Sequence, residues 1–384
     1  YKDQLTGATW KTERTGMEQE IPLRHWHLND PGVVPNLLQT GAGSPTGITF
    51  YEGDLLPSAF RNQMIHCDPG PNVVRAYPTS KSKAGYTATI ANLVQGVEDQ
   101  WFRPVDVSTA PDGSLFIADW YDPGVGGHRM GDTKRGRVFR AVPNKHAGYR
   151  FSLPDFSTLE GSILALQSPN AATQYLAQQS LLKMGATALP SLENLLKNHA
   201  SPRMRARAAW QMARIPGHAT NVVEQLVKDS DADLRIVGIR MARQHKMDLI
   251  AITRRLVNDE SPQVRRELAI SLRHSKSPEM PALWAQLAKQ HDGQDRWYLE
   301  ALGIGADLRS DECFDAWLRL VGDEWNTASG RDIVWRSRSS KACDYLSKIL
   351  FATDNPAEQD RYFRALDFHA PKQVAQVLAQ AAGL

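Results

Sequence analysis

The spacing of hydrophobic and polar positions changes near residue 150. Before it, short runs alternate apolar and polar positions: TGITFYEG (46–53), QMIHC (63–67), NVVRAYP (72–78), YTATIANLV (86–94), VDVSTA (105–110), SLFIADW (114–120) and GRVFRAVP (136–143). A period of two with β-branched and aromatic residues predicts strands. Polar turns such as Pro111-Asp112-Gly113 separate them, with proline and glycine where a tight turn asks for them. Many short strands with such turns predict antiparallel sheets. After residue 150 the apolar positions recur at helical spacing almost to the end.

Both halves repeat. SPTGITFYEGD resembles FRPVDVSTAPDG, IHCDPG resembles IADWYDPG, and NVVRAYPTSKSKAGY resembles GRVFRAVPNKHAGY. A tandem β unit of this length predicts propeller blades. Two blades do not close a propeller, so the remaining ones are expected upstream of Tyr1, with 1–44 as the tail of an earlier blade. In the second half SPRMRARAAWQMAR, DADLRIVGIRMARQ and SPQVRRELAISLRH begin 30 residues apart, at Ser201, Asp231 and Ser261. Second helices such as NVVEQLVKD and MDLIAITRRLVND lie between them, a HEAT-like pattern of paired helices. Ser or Asp at the start suits an N-cap, and the recurring arginine is expected to reach a neighbouring repeat's acid or helix C-terminus. The predicted fold is mixed, in two domains. Residues 1–150 form the C-terminal part of an antiparallel β-propeller, and residues 151–384 an all-α HEAT-like solenoid.

Charge and cysteine content narrow the function classes. A formal charge of +3 over 384 residues, without basic clusters, argues against a nucleic-acid partner. No apolar run is long enough for a membrane-spanning helix. Cys67, Cys313 and Cys343 form no CxxC and no CxxCH, which excludes a zinc ribbon, a thioredoxin motif and covalently attached c-type haem within these residues. Three buried free thiols are expected.

The stretch DQWFRPVDVSTAPDGSLFIADWYDPGVGGHRMGDTKRGRVFRA, with PLRHWHLNDPGVVPNLLQTGAGSPTG, YEGDLLPSAFRNQMIHCDPGPNVVRAYP and DGQDRWYLEALGIGAD, resembles the membrane-bound haem-binding dehydrogenases of planctomycetes and verrucomicrobia. Their propeller is similar to that of soluble glucose and sorbosone dehydrogenases. The resemblance implies an extracytoplasmic, periplasmic oxidoreductase that oxidises a sugar, alcohol or aldehyde. It implies pyrroloquinoline quinone and calcium as cofactors, and a cytochrome c domain or protein as electron acceptor. That haem domain and the early blades are expected outside this chain, so the fragment alone is expected to be inactive. The relatives' base lies in an early blade, so no catalytic residue is nominated. Their quinone-binding lysine has no counterpart around Asp68-Pro69-Gly70-Pro71-Asn72.

Five residues are nominated as cofactor or substrate contacts. The resemblance places Arg103 where an arginine holds the quinone, and a guanidinium fork matches such oxygens. Asp119, Tyr121, Asp122 and His128 belong to a long glycine-rich segment, 119–137, between two predicted strands. Asp119, Asp122 and Asp132 offer hard oxygens suited to calcium, without EF-hand spacing. They equally suit turn capping and pairing with Arg129, Lys134 and Arg135. His128 suits proton transfer, ligand contact or a backbone hydrogen bond. Arg103 suits a buried pair with Asp106 or Asp119. His25 and His27 suit a metal, without an evident third ligand. Asp68 and Asn72 align with the long segment through the repeat. Trp297, Tyr298, Trp317, Trp325 and Trp335 suit a helical core or a concave partner face. The competing function is a non-catalytic carbohydrate- or protein-binding module.

Overall fold

The protein is described by a computed structural model covering residues 28–38, 45–123 and 134–381. The described residues cluster into two compact units. One holds residues 45–81, 86–123 and 134–222, and the other residues 28–38, 82–85 and 223–381.

In the first unit, strands β1 (Ile48–Tyr51), β2 (Gln63–Asp68) and β3 (Val73–Ala76) form an antiparallel meander. A hairpin, β4 (Thr79–Ser82) and β5 (Gly85–Ala88), precedes β6 (Ala91–Gln95), which returns to pair with β3. A second meander follows, β7 (Pro104–Thr109), β8 (Leu115–Asp119) and β9 (Arg137–Ala141). The sequence repeat is therefore real at the level of elements, with β1–β2–β3 corresponding to β7–β8–β9. The run 86–94 is two strands rather than one, broken at Thr89 and Ile90, and the polar TSKS of β4 carried no strand signal.

The expected propeller is not what forms. Among the described residues the strands make open sheets of four, two and three strands, none closed. Ile65, Cys67 and Val74 of the first sheet share one core with Val107, Leu115 and Ile117 of the other. Alternation dictates that a segment is a strand, but closure depends on long-range pairing that a local repeat does not encode. Gly47 sits at a close approach beside this core. A Cβ there would collide with the Asp106 Cα, and the Gly47 N–H instead donates to the Val105 carbonyl at 2.8 Å.

Helices α1 (Leu159–Leu166), α2 (Ala171–Met184), α3 (Leu189–Asn198) and α4 (Pro202–Ala213) complete this unit. Arg207 of α4 forks onto Glu52 at 2.7 and 2.6 Å, and Gln174 of α2 donates to the same carboxylate at 2.9 Å. Asn170 caps α2 through Thr173 N–H and also donates to the Thr109 carbonyl at the end of β7. After α5 (Ala219–Leu226) come α6 (Ala232–Gln244), α7 (Leu249–Leu256), α8 (Pro262–Ser271), α9 (Met280–Lys289), α10 (Arg296–Gly305), α11 (Ser310–Val321), α12 (Ala328–Arg336), α13 (Ala342–Ala352), α14 (Pro356–Leu366) and α15 (Pro371–Ala381). The segments that repeat every 30 residues are α4, α6 and α8. Neither a HEAT fold nor a propeller is identified here.

Side chains explain the 30-residue repeat. Asp231 caps α6 as expected, but Ser201 and Ser261 sit at N-cap positions without donating or accepting a cap bond. Proline at N1 removes one orphan N–H at both sites. Arg235 reaches the next repeat's acid, donating to Asp259 through Nε and Nη2 at 2.7 and 2.8 Å. Arg265 donates to the Asp259 and Glu260 carbonyls at 2.6 and 3.1 Å. Tyr298, Trp317 and Trp335 are buried core residues. The three cysteines are buried and free, and burial pushes the Cys67 and Cys313 thiols up to about 12. Among the described residues no helix is long and apolar enough to cross a membrane.

Residues Ser82–Gly85 cluster with these helices. The Ala84 N–H donates to Asp295 at 2.7 Å, Gln263 donates to the Gly85 carbonyl at 2.9 Å, and Arg266 donates to the Ala84 carbonyl. Lys83 pairs with Asp292 at 2.7 Å. Partial burial pushes the Asp292 carboxyl up, but Lys83 and the N–H groups of Gln294 and Asp295 outweigh it and hold it at about 2.

Arg235→Ala leaves the Asp259 carboxylate buried without its partner and costs about 3 kcal/mol, measured by urea unfolding of the full chain. A loss near zero would show that the inter-repeat pair contributes nothing. Asp292 is ionised more readily folded than unfolded, so its contribution is present above the ordinary carboxylate value and lost as pH falls toward about 2. Between ~pH 4 and ~pH 2 the unfolding midpoint of Asp292→Asn therefore falls less steeply than that of the parent.

Candidate functional site

Four of the five nominated residues meet where β7 begins and β8 ends. Residues 101–103 continue the β7–β8 pairing outward. The Trp120 N–H donates to the Arg103 carbonyl at 2.9 Å, and the Asp122 N–H to the Trp101 carbonyl at 3.0 Å. Asp119 is the hub. Its Oδ1 accepts the N–H groups of Arg103 and Tyr121 at 2.7 and 2.9 Å, and its Oδ2 accepts Arg137 Nε at 2.7 Å. Arg137 also bonds Asp99 at 2.8 Å. The Asp119 side chain is wholly withdrawn from water. It thus tolerates burial because every oxygen has a donor and one donor is cationic.

That anchor forces Tyr121 into the left-handed region, at φ 54°. The turn places its ring under the Arg137 guanidinium, 3.9 Å from the ring centre, and 5.6 Å from Trp101 at a tilt of 53°. Arg137 also lies 5.0 Å from the Phe139 ring, and Arg135 lies 5.9 Å from Trp101. Trp101, Trp120 and Phe139 are exposed, at 38%, 51% and 40%. The result is a solvent-facing set of rings interleaved with arginine and bordered by Asp99.

The Arg103 guanidinium does not pair with Asp106 or with the Asp119 carboxylate. It donates to the carbonyls of Pro69 and Pro123 at 3.0 and 3.3 Å, which ties the turn after β2 to the chain after β8. Asp122 is buried. His128 and Asp132, like His25 and His27, lie outside the described residues. The quinone and calcium implied by the resemblance find no open ligand on Arg103 or Asp119. The Arg103 fork faces two backbone carbonyls, the Asp119 oxygens are saturated by N–H donors, and Arg137 stands where a cation would need to be.

A second cluster was missed. His66 on β2 and Tyr77 after β3 meet at 2.9 Å, and Arg75, directly across from His66, reaches diagonally to pair with Asp68 of the same two strands. Their sequence signal was period two: 66 and 68 alternate with core Ile65 and Cys67, as Arg75 alternates with core Val74 and Ala76. Burial lowers the His66 ring, against the Asp68 charge, and leaves it neutral at pH 7. Asn72, at φ 59°, donates to the carbonyls of Gln100 and Phe102 at 2.9 and 2.6 Å. Asp68 and Asn72 thus bind protein groups at the positions the repeat singled out.

Residues 8–142 match a family described as "Domain of unknown function (DUF7133)". No curated protein matches. A solved structure described as the crystal structure of an engineered protein is similar at 15% identity. It covers 58% of this chain and 71% of its own, with a TM-score of 0.27.

Asp119→Ala strands Arg137 and two N–H donors, and lowers stability by about 3 kcal/mol by chemical denaturation. Asp119→Asn keeps the Oδ1 acceptor and loses less. Equal losses in the two variants would show that the backbone anchors are not what Asp119 supplies.

Proposed function

We propose that this chain is a binding and positioning part of a larger extracytoplasmic oxidoreductase, and that the surface around Trp101 takes a carbohydrate. The supporting observation is the ring set of Trp101, Tyr121 and Phe139 with Arg137 and Asp99 at its edge. Flat rings accept the C–H face of a pyranose, while a guanidinium and a carboxylate take adjacent hydroxyls. The interleaved charges favour a polyhydroxylated ligand over an apolar protein surface, which would leave them dry and unpaired. The rings are pre-set by the Asp119 anchor, so binding orders little new chain. The sugar class and the location rest on the resemblance to haem-binding dehydrogenases. The redox step is not assigned to these residues.

Isothermal titration of the full chain with a panel of mono- and oligosaccharides tests this reading. At least one sugar binds, and Trp101→Ala weakens it about tenfold or more with unchanged circular dichroism. The absence of binding across the panel, or unchanged binding in a folded Trp101→Ala, overturns it.

A further inference from the structure

Three tryptophans of the helical unit are buried, Trp284, Trp317 and Trp335. An indole carries one donor and no acceptor, and burying that donor without a partner is costly. Trp284 donates to the Leu302 carbonyl at 2.8 Å and Trp335 to the Arg361 carbonyl at 3.1 Å. Trp317 is 2% exposed, and its N–H donates to no group among the described residues. That N–H is nonetheless open to water rather than sealed in the core. A ring so deeply buried reaches water only through a cavity that it lines.

Such a cavity, of about 220 Å³, lies where α9 and α11 end and α12 begins. This is on the order of ten times the ~15 Å³ that one water needs, so it admits an amino acid. Trp317, Ala288, Val321 and Ile333 supply its apolar lining, and Thr327, Ser329 and Gly330 bring the first turn of α12 to it. Thr327 Oγ1 caps the Gly330 N–H at 3.2 Å, and the Ala328 and Ser329 N–H groups before it have no acceptor among the described residues. The donors at the cavity are therefore a helix N-terminus and the Trp317 indole, a combination that takes a carboxylate. Lys289 and Glu324 also line it, are exposed, and form no ion pair among the described residues. One positive and one negative charge leave the lining neutral overall.

We propose that this cavity binds an aliphatic α-amino acid, its carboxylate on the Trp317 N–H and the α12 N-terminus, its ammonium on Glu324 and its side chain on Val321 and Ile333. A simple anion satisfies the donors but is repelled by Glu324, and a simple amine satisfies Glu324 but leaves the donors open. A zwitterion answers both, and its zero net charge matches a lining that carries one lysine and one glutamate. The proposal is independent of the carbohydrate reading, which concerns residues 99–139.

The test uses the full chain with glycine, alanine, valine and leucine, and with isocaproate and isoamylamine, the leucine analogues that each lack one charge. Calorimetry gives saturable binding of valine or leucine in the micromolar to millimolar range, with both analogues about tenfold weaker or more. In nitrogen-15-labelled protein the indole N–H resonance that disappears in Trp317→Phe shifts during the leucine titration. Trp317→Phe keeps the ring and weakens binding about tenfold. Glu324→Gln, at an exposed position, weakens it at least as much with an unchanged unfolding midpoint, and this arm stands even if Trp317→Phe fails to fold. No saturable binding of any of the amino acids, an equal response to either analogue, a Trp317 resonance that does not shift, or binding unchanged in either folded variant overturns the proposal.

Discussion

Burying a carboxylate in this chain requires a donor for its oxygens, and the placement of arginine follows from that requirement. Asp119 meets it with two backbone N–H groups and Arg137, Glu52 with Arg207 and Gln174, and Glu300 with Arg296, Arg336 and the Gly32 N–H. Each acid fixes segments that are distant in sequence. Hydrophobic burial supplies the driving force in both units, but it is non-directional. The ion pairs decide which loop meets which strand or helix end.

The same requirement recasts the glycine-rich segment after β8. Its first acid organises a turn by accepting Arg103 and Tyr121 N–H groups, which leaves no oxygen pair for a metal. Arg103 joins two turns through carbonyls rather than waiting for a ligand. What faces solvent is the product of that anchoring, a tilted Trp101–Tyr121 pair with Arg137 against it. Chemistry-bearing residue types were therefore legible in the sequence, whereas their roles were not. An aspartate that caps and one that ligates share the same letter and differ only in what surrounds the oxygens.

Strands and helices were legible for a different reason. Ile65, Cys67, Val74 and Ala76 alternate with polar neighbours because one face of each strand enters the core, and that period is written locally. Arg235 was readable as an inter-repeat arginine because a 30-residue spacing brings each copy to the same place beside the next. The split between β5 and β6 was not readable, since Thr89 and Ile90 have strand-like side chains. Nor was the membership of Ser82–Gly85 in the helical unit, which rests on Asp295, Gln263 and Arg266, all far along the chain.

By itself the sequence determined the β-to-α change near residue 150, the antiparallel strands before it, the helices after it and the buried thiols. All of these follow from local periodicity and residue chemistry. Only the tertiary structure decided that the sheets stay open among the described residues, that Asp119 and Arg103 hold backbone, and that buried His66, Asp68 and Arg75 cluster with half-buried Tyr77. Those outcomes depend on which donors and acceptors long-range packing brings within about 3 Å, and no local pattern encodes that distance.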